Sequence, residues 1–159
     1  SCFSARWRCY MYNRVLVATD FSESRASLIF HAIQVAKKNM ATLHILHVIE
    51  DAPHYLLYVD AYPLLIQFHE AAKKTAEDKM NQYLHDFKQT FPNMSTSIEF
   101  GSVAHCIVKK AEELGSELLI VGTHHFSGLR GLFHKSVALE VAHLAPCDVL
   151  IYKIKNVDS

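Results

Sequence analysis

Charge of one sign, long apolar runs and paired cysteines are all missing from this sequence. Its 159 residues hold sixteen basic and sixteen acidic side chains. Without a basic excess, neither a nucleic-acid partner nor an anionic membrane surface has electrostatic support. No apolar stretch approaches the roughly 18 residues needed to cross a bilayer, which predicts a soluble protein. The four cysteines, Cys2, Cys9, Cys106 and Cys147, form no pair with metal-ligand spacing. No apolar signal segment precedes the apolar and helical patterns, so free thiols in a reducing, cytoplasmic compartment are expected.

What is present fits one globular domain. Half the residues are hydrophobic and a fifth are charged. A chain of this length buries roughly two thirds of its unfolded surface. Ser1 to Tyr10, with Arg6, Trp7 and Arg8, show no periodicity and precede Met11. They are expected to be a non-native or flexible extension, and the domain to run over residues 11–155.

From Arg14 onward short apolar runs alternate with helical patterns. Arg14 to Thr19 is a continuous β-prone run, as for a strand buried on both faces. Ser22 can cap a helix whose inner stripe is Ala26, Ile29, Ile33 and Ala36, with Asn39 as its stop. Thr42 to Ile49 is a second strand, and Glu50 to Pro63 a loop. The next helix is predicted to turn Leu65, Phe68, Ala72, Ala76, Met80, Tyr83 and Phe87 inward, before Phe91-Pro92-Asn93 breaks it. Thr96, Ile98 and Phe100 alternate with polar residues, as in a half-exposed edge strand.

A helix with Val103, Ile107, Ala111 and Leu114 inward should end at Gly115. Leu118 to Val121 reads as a fourth strand and Gly122 to Leu132 as a loop. A helix with Val137, Val141 and Leu144 stops before Pro146, and Val149 to Tyr152 forms a fifth strand. Strict alternation without repeats predicts an α/β fold with a five-stranded, parallel, doubly wound sheet and right-handed crossovers.

In such sheets ligands settle beyond the carboxyl ends of the strands where strand order reverses. For the order 3-2-1-4-5 the reversal lies between the first and fourth strands. Thr19-Asp20-Phe21 and Gly122-Thr123-His124-His125 leave those strands. Gly122, Gly128 and Gly131 lie in a loop that runs into a helix, whose backbone donors can hold phosphate oxygens.

Here a resemblance becomes specific. Arg14 to Ser22 is similar to the first strand of universal stress proteins, and His47-Val48 fits the end of the second. The stretch Val121-Gly122-Thr123-His124-His125 through Ala145-Pro146-Cys147-Asp148-Val149 resembles the family's last third. The resemblance runs from Met11 to Lys153 and implies a Rossmann-like, adenine nucleotide alpha hydrolase-like domain. ATP-binding members carry a glycine, two residues, a second glycine, nine residues, then a third glycine before Ser or Thr. Gly122 and Ser136 match the outer positions, but His125 and Lys135 replace the two inner glycines. Glycine there lets the backbone approach phosphates without a Cβ in the way.

The resemblance therefore points to the glycine-degenerate branch, a stress-response protein acting through an unidentified protein partner rather than as an enzyme. The alternative is an ATP- or AMP-binding switch. Its contacts would be Thr19, Asp20, Val48, Gly122, Thr123, His125 and Ser136, with Arg130 and Lys135 as phosphate charges. Asp20 resembles the family's adenine-side acid, and capping the following helix is its other reading. Ser127 and Ser136 lie where some relatives are phosphorylated.

Other motifs fail. Gly128 to Ser136 lacks the P-loop ending, because His134 precedes Lys135. Eleven histidines suggest metal, but His44 and His47 are three apart on a strand and point to opposite faces. A receiver domain would need an acidic cluster after the first strand and an aspartate after the third, where Phe100-Gly101 stands. No Gly-x-Ser-x-Gly occurs. Val149, Leu150, Ile151 and Tyr152 are apolar on both faces yet expected at a sheet edge, a liability unless covered. Family members pair through this strand, which implies a homodimer.

Overall fold

The computed structural model describes residues 11–21, 26–51, 62–124 and 135–154. Within them the chain alternates strand and helix throughout: β1 (Arg14–Thr19), α1 (Ala26–Asn39), β2 (Thr42–Ile49), α2 (Tyr62–Lys88), β3 (Met94–Phe100), α3 (Val103–Leu114), β4 (Leu118–His124), α4 (Lys135–Leu144) and β5 (Asp148–Ile154). All pairings are parallel, in the order β3-β2-β1-β4-β5. This is the predicted doubly wound sheet.

Because successive strand side chains point to opposite faces, each central strand feeds two cores. Val15 and Val17 of β1 join Ile45, Ile120, Ile29 and Ile33 under α1 and α2. Leu16 and Ala18 join Leu46, Leu119, Ile107 and Val141 under α3 and α4. Of the stripe predicted for the first helix, Ile29 and Ala36 are fully buried and Ile33 nearly so, while the Ala26 side chain lies outside the description. Ser22 lies outside the described residues.

Two helix stops work as their residues suggest. Asn39 ends α1 by donating its amide to the Val35 carbonyl at 2.8 Å while accepting the Tyr12 backbone N–H at 3.1 Å. Gly115 takes the left-handed conformation (φ 57°, ψ 41°) after α3, and its N–H returns to the carbonyls of Ala111 and Glu112.

The structure corrects several expectations. β4 does not end at Val121; Gly122 to His124 stay in the sheet because β5 pairs with them, through His124 opposite Ile154. β5 likewise runs from Asp148 to Ile154, beyond the expected Val149 to Tyr152, because β4 pairs with it along that length. α2 begins at Tyr62, so Pro63 sits in its first turn, where a missing N–H costs nothing. Phe68 was expected inside but is 48% exposed, as is Leu144 at 52%. Helix length explains Phe68. Twenty-seven residues span about 40 Å, whereas the eight residues of β2 span about 26 Å. The amino-terminal turns of α2 therefore overhang the sheet, with Leu64 and Ile66 also exposed.

The β3 edge is held by a histidine. His44 on β2 places Nδ1 2.8 Å from Ser95 Oγ and Nε2 2.8 Å from Ser97 Oγ. A neutral imidazole, with one donor and one acceptor, satisfies both hydroxyls. Burial, and then the nearby Lys110 charge, push its pKa down to about 4, with Glu99 opposing.

Two outcomes follow. Ile29→Ala should cost about 2–5 kcal/mol in urea unfolding, whereas Phe68→Ala should stay within about 1 kcal/mol. For His44 the folded pKa lies below the unfolded one, so the unfolded state takes up the proton first as pH falls. Its contribution is complete above about 6.5 and is lost towards pH 4. His44→Asn should flatten the pH dependence of unfolding free energy in that window; an unchanged slope would contradict the clamp.

Candidate functional site

The reversal point of the sheet is built by strands that stop at different heights. The ladder between β1 and β4 ends at Ala18 opposite Val121. β1 continues against β2 only to Thr19 opposite His47, while β4 runs on beside β5 to His124. The two central strands part at this point.

Thr19, at the end of β1, is fully buried. Its carbonyl accepts the Nδ1–H of His47 at 2.8 Å, and its Oγ1 accepts the Phe21 N–H at 3.3 Å. Since a carbonyl can only accept, Nδ1 carries the proton and Nε2 is the ring's acceptor. His47 is itself buried, and burial holds its pKa below the usual value, against a raising effect of the Thr19 bond and the Asp20 charge. The imidazole is therefore neutral at physiological pH.

Phe21 adopts φ +59°, a left-handed conformation costing a bulky residue about 1–2 kcal/mol. Its ring is fixed by two neighbours, His47 at 4.2 Å and Tyr83 of α2 in a stacked arrangement at 5.7 Å. Backbone strain at a site mouth, over-determined by packing, is a common feature of binding sites.

These contacts leave a cleft of about 560 Å³ between the carboxyl ends of β1 and β2 and the overhanging part of α2. Phe21, His47, Val48 and Ile49 line it from the sheet side. Phe68, Ala71, Ala72 and Ala76 line it from α2, where small residues keep the wall flat. Among the described residues its polar groups are the carboxylates of Asp20, Glu50 and Asp51, the Thr75 hydroxyl, His47 and the ammonium of Lys79. As far as the described residues line it, the cleft is apolar in its body and mainly acidic in charge.

The residues expected to hold a nucleotide are only partly brought together. Thr19, Asp20 and Val48 meet at the ends of β1 and β2, and Asp20 and Val48 line the cleft. Gly122 and Thr123 stand across the crevice on β4, inside the strand rather than in a loop; Gly122 is buried and Thr123 half-buried. His125 and Arg130 lie outside the described residues, as do Gly128, Gly131 and Ser127. Lys135 and Ser136 open α4 by backbone, their side chains being outside the description.

Sequence reasoning missed Glu50, Asp51 and the face of α2, and gave Phe21 no role. The readable signal was the length of α2, too great for the strands beneath it. His44 and His47 do face opposite sides, one bonded to β3 serines and the other to β1. No group of three His, Cys, Asp or Glu side chains arranged to hold a metal occurs among the described residues.

Known proteins share this geometry and much of the sequence. The model of the universal stress protein family matches residues 11–153. Universal stress protein A homolog 1 of Coxiella burnetii is 32% identical over 145 residues, covering 91% of this chain and 99% of that protein. The solved structure of universal stress protein UspA from Lactobacillus plantarum superposes with a TM-score of 0.75 at 26% identity, covering 89% of this chain and 97% of that one. A universal stress protein crystallised in complex with cAMP shares the fold, with a TM-score of 0.58 at 24% identity over 91% of this chain and 99% of that one.

Proposed function

Because this chain belongs to the universal stress protein family, we propose that it is a homodimeric stress-response protein that works through protein interactions, with a crevice poorly suited to a triphosphate. The charge of the cleft beside the crevice carries this reading. Among the described lining residues, Asp20, Glu50 and Asp51 set three carboxylates against the ammonium of Lys79. A triphosphate needs donors and cations, and near like charge it is repelled.

The sequence adds a steric argument. His125 and Lys135 stand where ATP-binding members have glycine, so each brings a Cβ and a long side chain to positions used for close backbone approach. Lys135 could contribute a charge, but a side-chain ammonium does not restore that space.

The dimer rests on β5. It is an edge strand whose Ile151 is 41% exposed, while Val149, Leu150 and Tyr152 remain half-buried. Pairing two such edges about a two-fold axis would satisfy the unpaired backbone and cover this apolar surface.

A nucleotide-dependent switch is the second reading, favoured by Gly122 on β4, by Asp20 at the end of β1, and by a fold shared with a cAMP-bound relative. Titration calorimetry decides between them. The expected ATP–magnesium affinity is weaker than roughly 100 μM, near −5.5 kcal/mol; low-micromolar binding at one site per chain would overturn the proposal. His125→Gly with Lys135→Gly should raise that affinity, and no gain would remove the steric argument. Sedimentation should give a mass of two chains for the wild type and one for Ile151→Lys, which sets like charges across the two-fold axis.

A further inference from the structure

We propose that Ser97 and His44, on the β3 flank of the sheet, form a nucleophile–base pair that accepts the acyl group of an activated ester or thioester. This goes beyond the interaction reading and uses neither the cleft beside α2 nor the point where β1 and β4 part.

The geometry is that of a serine activated by an imidazole. His44 Nε2 stands 2.8 Å from Ser97 Oγ, within the reach that a nucleophile and its base require. Nδ1 of the same ring stands 2.8 Å from Ser95 Oγ. When Nδ1–H donates to Ser95, Nε2 is left to accept the Ser97 proton. A nucleophile on Nε2 and an orienting group on Nδ1 is the order found in serine triads, with a hydroxyl here in the carboxylate's place. Burial of His44, and then the Lys110 charge, hold its pKa down at about 4, so the base carries no extra proton at neutral pH.

An acyl acceptor also needs a donor for the developing oxyanion and room for the substrate. The Gly101 N–H and the Asn93 carbonyl both turn toward the β2 side, so the odd-numbered residues of β3 face their partner strand. The N–H of Ile98, the residue after Ser97, therefore points outward from a flank that no described strand covers. Ser97 and Glu99 share a face of β3, and Lys110 brings its ammonium there, 2.6 Å from Glu99. Ser97 is half-buried rather than sealed. Glu99, about 6.6 Å further along the strand, opens a cavity of about 310 Å³ that continues past Lys110 to Ser102 and His105.

The chemistry closes without a cofactor. As Ser97 Oγ adds to the acyl carbon, its proton passes to His44 Nε2. The bond to the leaving oxygen or sulfur breaks, and the leaving group takes that proton. Water then attacks acyl-Ser97 through the same base, and the carboxylic acid departs as Ser97 regains its proton. A hydroxyl on Nδ1 stabilises the imidazolium far less than a carboxylate does, so turnover is slow and confined to good leaving groups. Ester and thioester donors meet that condition, and amides do not.

The test is p-nitrophenyl acetate hydrolysis by the full chain at neutral pH, followed by peptide mass mapping. One acetyl group should appear on Ser97, and nitrophenolate release should fall about tenfold or more in Ser97→Ala and in His44→Gln. Ser97→Ala removes one hydroxyl from a half-buried edge and should keep the circular dichroism of the wild type. Ser95→Asp restores a carboxylate at Nδ1, while Glu99 on β3 and Lys110 on α3, the other charges acting on His44, stay as they are. That variant should react faster, and the acidic limb of its pH–rate profile should move to higher pH, which a merely structural serine would not produce. Equal rates in the wild type and Ser97→Ala, acetyl groups on lysines alone, or an unmoved profile in Ser95→Asp would each overturn the inference. ATP titration and sedimentation read the interaction proposal separately, so the two fail independently.

Discussion

The end of β1 is the constraint from which the rest of the site follows. β1 loses its β4 neighbour after Ala18, and Thr19 is buried at the point where the sheet divides. Its carbonyl must find a donor there, because an orphaned buried carbonyl would cost as much as a lost hydrogen bond. His47 provides it from the adjacent strand. That one bond fixes the imidazole's tautomer, its orientation and its neutrality. It also gives Phe21 a flat partner, so the chain can leave the strand in a left-handed conformation that would otherwise be unfavourable. Tyr83 closes the stack and ties α2 to the end of β1. The cleft is what remains between these rings and the part of α2 that extends past the sheet.

Much of the fold was legible because its signals are local. The β1 run has no polar interruption, and only a strand covered on both faces tolerates that. Ile29, Ile33 and Ala36 repeat with the helical period and are all buried. Gly115 marks a left-handed stop that residues with a Cβ adopt at a cost. What misled were residues whose environment depends on where the elements end relative to each other. Phe68 has the right period to face inward, yet no sheet lies beneath it. Gly122 looks like the start of a loop because glycine is poor in strands, yet its register with Tyr152 keeps it in the ladder.

The site was legible only where it follows strand ends. Asp20 was singled out because ligands gather at the carboxyl edge of such sheets, and Val48 by the resemblance to the family. Glu50, Asp51 and the α2 face were not, since nothing in the spacing of residues 20, 50 and 75 announces that they share a space. The resemblance to a family also drew attention to the glycine pattern after β4 and away from the opposite side of β1. Chemistry assembled from three distant segments becomes visible only once the chain is folded.

The two borders of the sheet are unlike. Along β3 the outermost residues are Ser95, Thr96, Ser97 and Glu99, with serines engaged by His44 and the glutamate held by Lys110 at 2.6 Å. Along β5 they are Val149, Leu150, Ile151 and Tyr152. If two β5 edges pair as proposed above, the pair would leave its two β3 flanks outermost, largely polar apart from the exposed Phe100. Growth into ribbons would require the opposite flank to accept a neighbour as well. Such an association would stop at two chains, because the β3 flank does not match the β5 one.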